Sequence, residues 1–296
     1  MGFSETKTEV FQPDGNTKLQ VYEWLPDGNV KAVFLAIHGG MAHAGDWVTP
    51  ALYFKDKGIA TYALDLRWHG TYPRHNPGGK VYFHTNSYEE NVADLHAFYE
   101  WVKAKHPDKP IFVLAHSNGS LISLLYGLTT AKKTDIKGFI VSSPWLKNKV
   151  KVPAIVEKMA GVIAAIYPTF TVTPPDITDK LTHDEKIHAR HIEDTKLGLR
   201  GTTATARLGA ESAKTQAKVV SGLKNWERFP MLAIVAGDDH LADPTASKEA
   251  LMTVPSGLLT LIMHEKNFHE NFNEINREET FKTIWDWMLR YISLTA

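Results

Sequence analysis

Ser117 lies in the segment Ile111-Phe112-Val113-Leu114-Ala115-His116-Ser117-Asn118-Gly119-Ser120, which reads as a buried strand, a sharp turn and the start of a helix. A serine at the apex of such a turn stands above the sheet. Its hydroxyl lies beside the unpaired N–H groups of a helix N-terminus, where it can act as a nucleophile. Strand and helix pack closely there, so the flanking residues must be small. Ala115 and Gly119 hold those places, with alanine where the G-x-S-x-G pattern has its first glycine. The same residues also describe a serine that merely caps a helix. Partners decide between the two.

A serine nucleophile needs donors for an oxyanion, a base and an acid to orient the base. His38-Gly39-Gly40 directly follows the apolar run Ala32–Ile37. A glycine turn in that place aims the N–H of Gly40 at an oxyanion, with the N–H of Asn118 as its partner. His38 and Gly39 then shape the loop and transfer no proton. The run Leu232–Ala236 ends in Gly237-Asp238-Asp239-His240-Leu241-Ala242-Asp243-Pro244, where three carboxylates compete. Asp243 before Pro244 also reads as a helix start, and spacing alone does not choose among them. Two histidines follow the run Leu258–Met263. His264 abuts it, and His269 has loop enough to reach back over Ser117. The order Ser, Asp, His fits a catalytic triad on a strand–turn–helix scaffold.

These groups must be held by a sheet. Strands are expected at Leu19–Leu25, Ala32–Ile37, Ile59–Leu64, Ile111–Ala115, Phe139–Ser142, Leu232–Ala236 and Leu258–Met263. Most of the later runs are continuously apolar, as parallel strands buried on both faces are. Ser87-Tyr88-Glu89-Glu90 is a capping-box start for a helix running to Lys105. Gly119–Leu128 and an amphipathic tail from Asn273 to Tyr291 are the other clear helices. The alternation predicts an α/β protein with a mostly parallel, doubly wound sheet, its first two strands forming an antiparallel edge across Pro26-Asp27-Gly28-Asn29. No strand is expected between Ser143-Pro144 and Leu232. Residues 145–225 are therefore expected to form a helical cap over a core of 1–144 and 226–296, with Thr171–Pro175 as an extended linker. Within the cap, Val152–Tyr167 is apolar and reads as a helix packed on the core or an acyl-chain tunnel.

Bulk composition excludes several alternatives. The 296 residues include 33 Lys+Arg and 33 Asp+Glu, so net charge gives no reason to expect a nucleic-acid partner. With no cysteine, thiolate catalysis, disulfides and Cys-ligated zinc are excluded. No secretory leader or transmembrane span is visible, and a cytoplasmic location is expected. His183, His188 and His191 read as solvated cap surface rather than a metal site. His69, His75 and His84 fall in the loop after Asp65. No cofactor or metal is expected.

At these residues the sequence resembles the monoacylglycerol lipase and lysophospholipase branch of the α/β-hydrolases, grouped with the serine aminopeptidase family S33. The resemblance runs through His38-Gly39, Asp65-Leu66-Arg67-Trp68-His69-Gly70 (similar to D-x-R-G-H-G), Asp94, the turn at Ser117, Ser142-Ser143-Pro144, Leu181-Thr182-His183-Asp184, Gly237–Pro244 and His269-Glu270-Asn271-Phe272-Asn273-Glu274. It implies the α/β-hydrolase fold, Asp239 as the acid and His269 as the base, with Asp65 and Arg67 fixing a loop. The departures are Ala115 for glycine, Trp68 for the glycine of R-G-H-G, Asn118 where methionine is common, and a long loop at Thr71–His84. The implied activity is hydrolysis of a carboxylic ester by Ser117, His269 and Asp239 through an acyl-enzyme. Expected substrates are small acyl esters such as monoacylglycerols or lysophospholipids, with transient membrane or micelle contact through the cap. The alternatives are an S33-type aminopeptidase, a short-chain carboxylesterase and a non-catalytic binding protein on the same fold. Dehalogenase and epoxide-hydrolase chemistry use a carboxylate nucleophile, which serine at the apex argues against.

Overall fold

The computed structural model describes residues 7–72, 82–149 and 161–292. The expectations for His75 and for 152–160 of the apolar cap segment fall outside the described residues, as does 73–81 of the long loop.

The strands are β1 (Lys7–Phe11), β2 (Leu19–Trp24), β3 (Ala32–Ile37), β4 (Ile59–Leu64), β5 (Tyr82–Phe83), β6 (Ile111–His116), β7 (Gly138–Ser142), β8 (Thr171–Val172), β9 (Thr203–Thr205), β10 (Met231–Ala236) and β11 (Leu259–His264). Eight of them form one sheet in the order β1-β2-β4-β3-β6-β7-β10-β11. From β4 to β11 all neighbours are parallel. The expected pairing of the first two strands is corrected. β2 runs antiparallel to β1 and β4, and β3 lies inside the parallel body between β4 and β6. The six residues of β3 are wholly buried, which suits an interior strand and not an edge.

Helices among the described residues include α1 (Val48–Lys55), α2 (Tyr88–Lys105), α3 (Asn118–Leu128), α4 (Glu185–Lys196), α5 (Ala206–Gly222), α6 (Pro244–Leu251) and α7 (Arg277–Ile292). α2 starts as its sequence dictates, the Ser87 side chain accepting from the Glu90 N–H at 3.1 Å. Side-chain alternation splits the strands between two cores. Val33, Leu35, Ile37, Val113 and Val141 face α2 and α3. Phe34, Ala36, Phe112, Leu114, Ile140 and Ile234 face α1 and α7, through Phe54, Phe281 and Trp287. Trp226 belongs to the first core and packs edge-on to Phe139.

Residues 145–225 hold more than helix and loop. Thr171–Val172 is a short strand rather than linker, and β8 and β9 join β5 in a small sheet of order β5-β9-β8. His191 was expected at the solvated surface, yet it is buried on α4 against Glu270. The apolar side chains Leu181 and Ile187 draw that face of the segment inward. Among the described residues no helix is long and apolar enough to cross a membrane.

Candidate active site

β6 and α3 meet at Ser117, which has φ 53° and ψ −117°. A non-glycine residue in that region costs about 1–3 kcal/mol and persists only where its surroundings fix it. Here the surroundings do so. The Ser117 N–H bonds the Ser142 carbonyl at the end of β7 at 2.9 Å, and its own carbonyl accepts from the Trp145 N–H. Gly119 must be glycine, because a Cβ there would lie 2.2 Å from the Ile37 carbonyl oxygen of β3. Gly39 is held less closely, since a Cβ on it would stand 3.2 Å from that of Ser117. Ala115 keeps its methyl fully buried between β3 and β7.

The loop after β11 brings His269 to the same end of the sheet. Its carbonyl accepts from the Ser143 hydroxyl at 2.6 Å, and its ring packs on His116 with centroids 4.7 Å apart. Its Nδ1 lies 2.7 Å from Asp239 Oδ2. The other Asp239 oxygen accepts from the N–H groups of Leu241 and Ala242 at 2.8 and 3.0 Å. Burial works to raise the Asp239 carboxyl, but the charge and hydrogen bond of His269 and the two backbone donors hold it below its ordinary value. Asp239 is thus a carboxylate that only accepts. His269 Nδ1 therefore donates to it, and in the neutral ring Nε2 keeps a free lone pair.

The rival residues are otherwise engaged. Asp243 caps α6 by accepting from the Ala246 N–H at 3.1 Å, and Asp238 is exposed beside His240. His264 bonds the Thr280 hydroxyl at 3.0 Å. Three groups that sequence reasoning left without a role touch the site. His116 supports the His269 ring, Ser143 holds the His269 backbone, and the Tyr88 hydroxyl donates to Asn118 Oδ1 at 2.7 Å. The strand–turn–helix pattern marks His116 by position, while the other two depend on contacts far apart in sequence.

The loop residues have definite partners. His38 Nε2 accepts from the Leu66 N–H at 3.0 Å, so its Nδ1 donates to the Gly39 carbonyl at 2.7 Å. Burial pushes its pKa down to about 4, and the ring stays neutral. Gly40 backs onto the Phe83 ring. Asp65 accepts from the Ala44 and Thr71 N–H groups at 2.8 and 2.9 Å, joining the loop after β3 to the loop after β4. Arg67 forms a two-pronged pair with Asp94 at 2.7 and 2.8 Å and also reaches Asp14. Trp68 adopts φ 65°, a conformation that suits the glycine of the resembled pattern, and packs its ring on Tyr72 and His84.

His43, Asp46 and Asp194 bring ligand-type atoms within 4.8 Å of one another. Two guanidinium groups already supply the positive charge there. Arg200 pairs with Asp46 at 2.5 Å and Arg190 with Asp194 at 3.3 Å.

A model of the family described as serine aminopeptidase, S33, matches residues 28–276. The chain is 27% identical over 272 residues to phospholipase YtpA of Bacillus subtilis, covering 92% of this chain and 100% of that one. It is 27% identical over 301 residues to a monoacylglycerol lipase of Mycolicibacterium smegmatis, covering 98% and 99%. It is 26% identical over 273 residues to an uncharacterized abhydrolase domain-containing protein of Dictyostelium discoideum, spanning 27% of that protein's length. Among solved structures, a soluble variant of the monoglyceride lipase of Saccharomyces cerevisiae superposes with a TM-score of 0.81 at 19% identity, covering 100% of this chain and 97% of that one. The parallel sheet, the turn at Ser117 and the family match agree: the chain belongs to the serine aminopeptidase S33 family of α/β-hydrolases and is a hydrolase of the lipase and esterase type.

Proposed function

We propose that this chain hydrolyses carboxylic esters through an acyl-enzyme on Ser117. His269 takes the serine proton as the hydroxyl oxygen attacks the ester carbonyl, then gives it to the departing alcohol. Asp239 keeps Nδ1 protonated and stabilises the imidazolium. The N–H groups of Gly40 and Asn118 hold the oxyanion, and water, activated by His269, releases the acid. The observation that carries this reading is the strained Ser117 next in sequence to His116, whose ring packs on a His269 bound through Nδ1 at 2.7 Å to a buried, backbone-fixed carboxylate. Structural serines and loop histidines need neither feature.

The substrates we propose are monoacylglycerols, lysophospholipids or similar esters of medium to long acyl chain, with residues 145–225 acting as a cap. The names of the relatives support this class. So do the exposed Val162, Ile166, Tyr167 and Phe170 of that region, which suit transient contact with a membrane or micelle. Peptide hydrolysis is the second reading, prompted by the family description. It requires an acid free to bind an α-amino group, whereas the nearby Asp46 and Glu270 are both paired with Arg200.

A rate series on p-nitrophenyl esters from acetate to palmitate, run beside monoacylglycerol, lysophospholipid and amino-acid anilides, tests the proposal. The highest kcat/KM is expected on medium or long acyl esters. Best activity on an anilide would establish the peptidase reading, and best activity on acetate a short-chain esterase.

A further inference from the structure

Residues 181–201 grip both loops that flank Ser117. On the loop after β3, the Met41 carbonyl accepts from the Gly201 N–H at 2.8 Å, and the Gly45 carbonyl accepts from Arg190 at 2.8 Å. His43 Nε2 lies 3.1 Å from Asp194. On the His269 loop, the Glu270 N–H donates to the Leu181 carbonyl at 2.9 Å, and the Asn273 carbonyl accepts from the Thr182 hydroxyl at 2.8 Å. His191 reaches Glu270 at 2.9 Å. Arg200 joins the two sets, with Nη1 at 2.5 Å from Asp46 and Nη2 at 3.6 Å from Glu270, the residue next to His269.

The two loops meet through Trp47 and Phe272, whose ring centroids are 5.4 Å apart. A cavity of about 30 Å³ lies between them, lined by Gly39, Asp46, Trp47, His116, Glu270 and Phe272. Beside that aromatic contact, the polar sides of the two loops are joined through Arg200. Ionic groups are a costly way to build a core, because burying each charge costs several kcal/mol before pairing. Their advantage over apolar contacts is direction. A planar guanidinium donates along fixed axes and so sets a register.

We propose that Arg200 is a positioning residue: clamped between Asp46 and Glu270, it fixes the separation of the loop bearing Gly39 and Gly40 from the loop bearing His269. Docking of residues 181–201 is thereby coupled to the geometry around Ser117. The proposal rests on the catalytic assignment of Ser117 and His269 made above. The charges support it. Burial works to raise both carboxyls, but Arg200, His43 and His191 hold Asp46 below the ordinary range, and His191 and Arg200 hold Glu270 below it.

Arg200→Gln removes the bridge and leaves two buried carboxylates short of a cation. A misplacement of about 1 Å at a reacting centre can cost about 10²-fold. A loss of about 10- to 100-fold in kcat per active site is expected, with KM changed less than threefold. Sites are counted by fluorophosphonate titration, so misfolded protein does not enter. Arg200→Lys keeps the charge but not the planar fork, so it should restore only part of kcat.

Wild-type kcat per titrated site in Arg200→Gln would overturn the proposal. If Arg200→Gln does not fold, Arg200→Lys and Asp46→Asn decide it: reduced kcat per site at near-constant KM in both supports the clamp, and wild-type values in both refute it. Failure of the wild-type protein to label at Ser117 would instead refute the catalytic assignment.

Discussion

Asp239→Asn is the substitution whose effect follows most directly from the geometry. The Asp239 carboxylate accepts from His269 Nδ1 at 2.7 Å on one oxygen and from Leu241 and Ala242 on the other. An asparagine can keep its carbonyl on the two backbone donors. Its amide then points two N–H groups at a ring nitrogen that also carries hydrogen. The imidazole relieves that clash by moving its proton to Nε2, the atom that must accept from Ser117. The imidazolium formed during attack also loses its counter-charge. Where this substitution has been made in a serine–histidine–aspartate site, kcat falls about 10⁴-fold, or about 5.5 kcal/mol in the barrier. A loss of that order in p-nitrophenyl ester hydrolysis, per correctly folded protein, is expected here. Asp243→Asn is the internal control. Asparagine caps helices about as well as aspartate, so activity should stay within about twofold. Asp239→Asn retaining a tenth or more of wild-type activity, or Asp243→Asn proving the more harmful, would refute the assignment of the acid.

Other consequences can be checked on the same protein. Gly119→Val should cost about 1–3 kcal/mol or more by chemical denaturation, because its Cβ would meet the Ile37 carbonyl of β3, which is backbone and cannot swing away. A fall of less than about 1 kcal/mol would show the contact to be looser than described. His38 is neutral and buried with its pKa depressed to about 4. Its contribution to stability is present above the unfolded value of about 6.5 and is lost as pH falls toward 4. Between pH 7 and pH 4 the wild type should lose on the order of 3 kcal/mol that His38→Gln does not lose. Equal slopes in urea denaturation would contradict this. Tyr88→Phe removes the hydroxyl that holds the buried Asn118 side chain. It should cost about 1–2 kcal/mol of stability and lower kcat more than it raises KM, readable from a thermal melt and steady-state rates.

Much of this site was legible in the chain before any contact was known. The turn at Ser117 follows from a buried apolar strand, small neighbours and a helix start, all local in sequence. From spacing alone the carboxylate and histidine were legible only as sets, and it was the family resemblance that pointed to Asp239 and His269. Which of Asp238, Asp239 and Asp243 faces His269 depends on how the loop after β10 turns, and that turn is set by two backbone N–H groups rather than by side-chain type. The edge pairing was misread because a short link between two strands suggests a hairpin, whereas β4 inserts between β2 and β3. Polar residues of the 145–225 region were the hardest to read. His191 and Arg200 look solvated in one dimension, and their burial rests on acids 79 and 154 residues away. Long-range ion pairs leave no periodicity to detect.

The central claim is that Ser117 is the nucleophile, and its most direct test is covalent. The folded protein is treated with a fluorophosphonate, digested and mapped by mass spectrometry, with Ser117→Ala in parallel. One adduct per chain on the peptide containing Ser117, together with loss of both labelling and esterase activity in Ser117→Ala, is the expected result. An adduct on another residue, or a Ser117→Ala protein that still hydrolyses esters at the wild-type rate, would contradict the account.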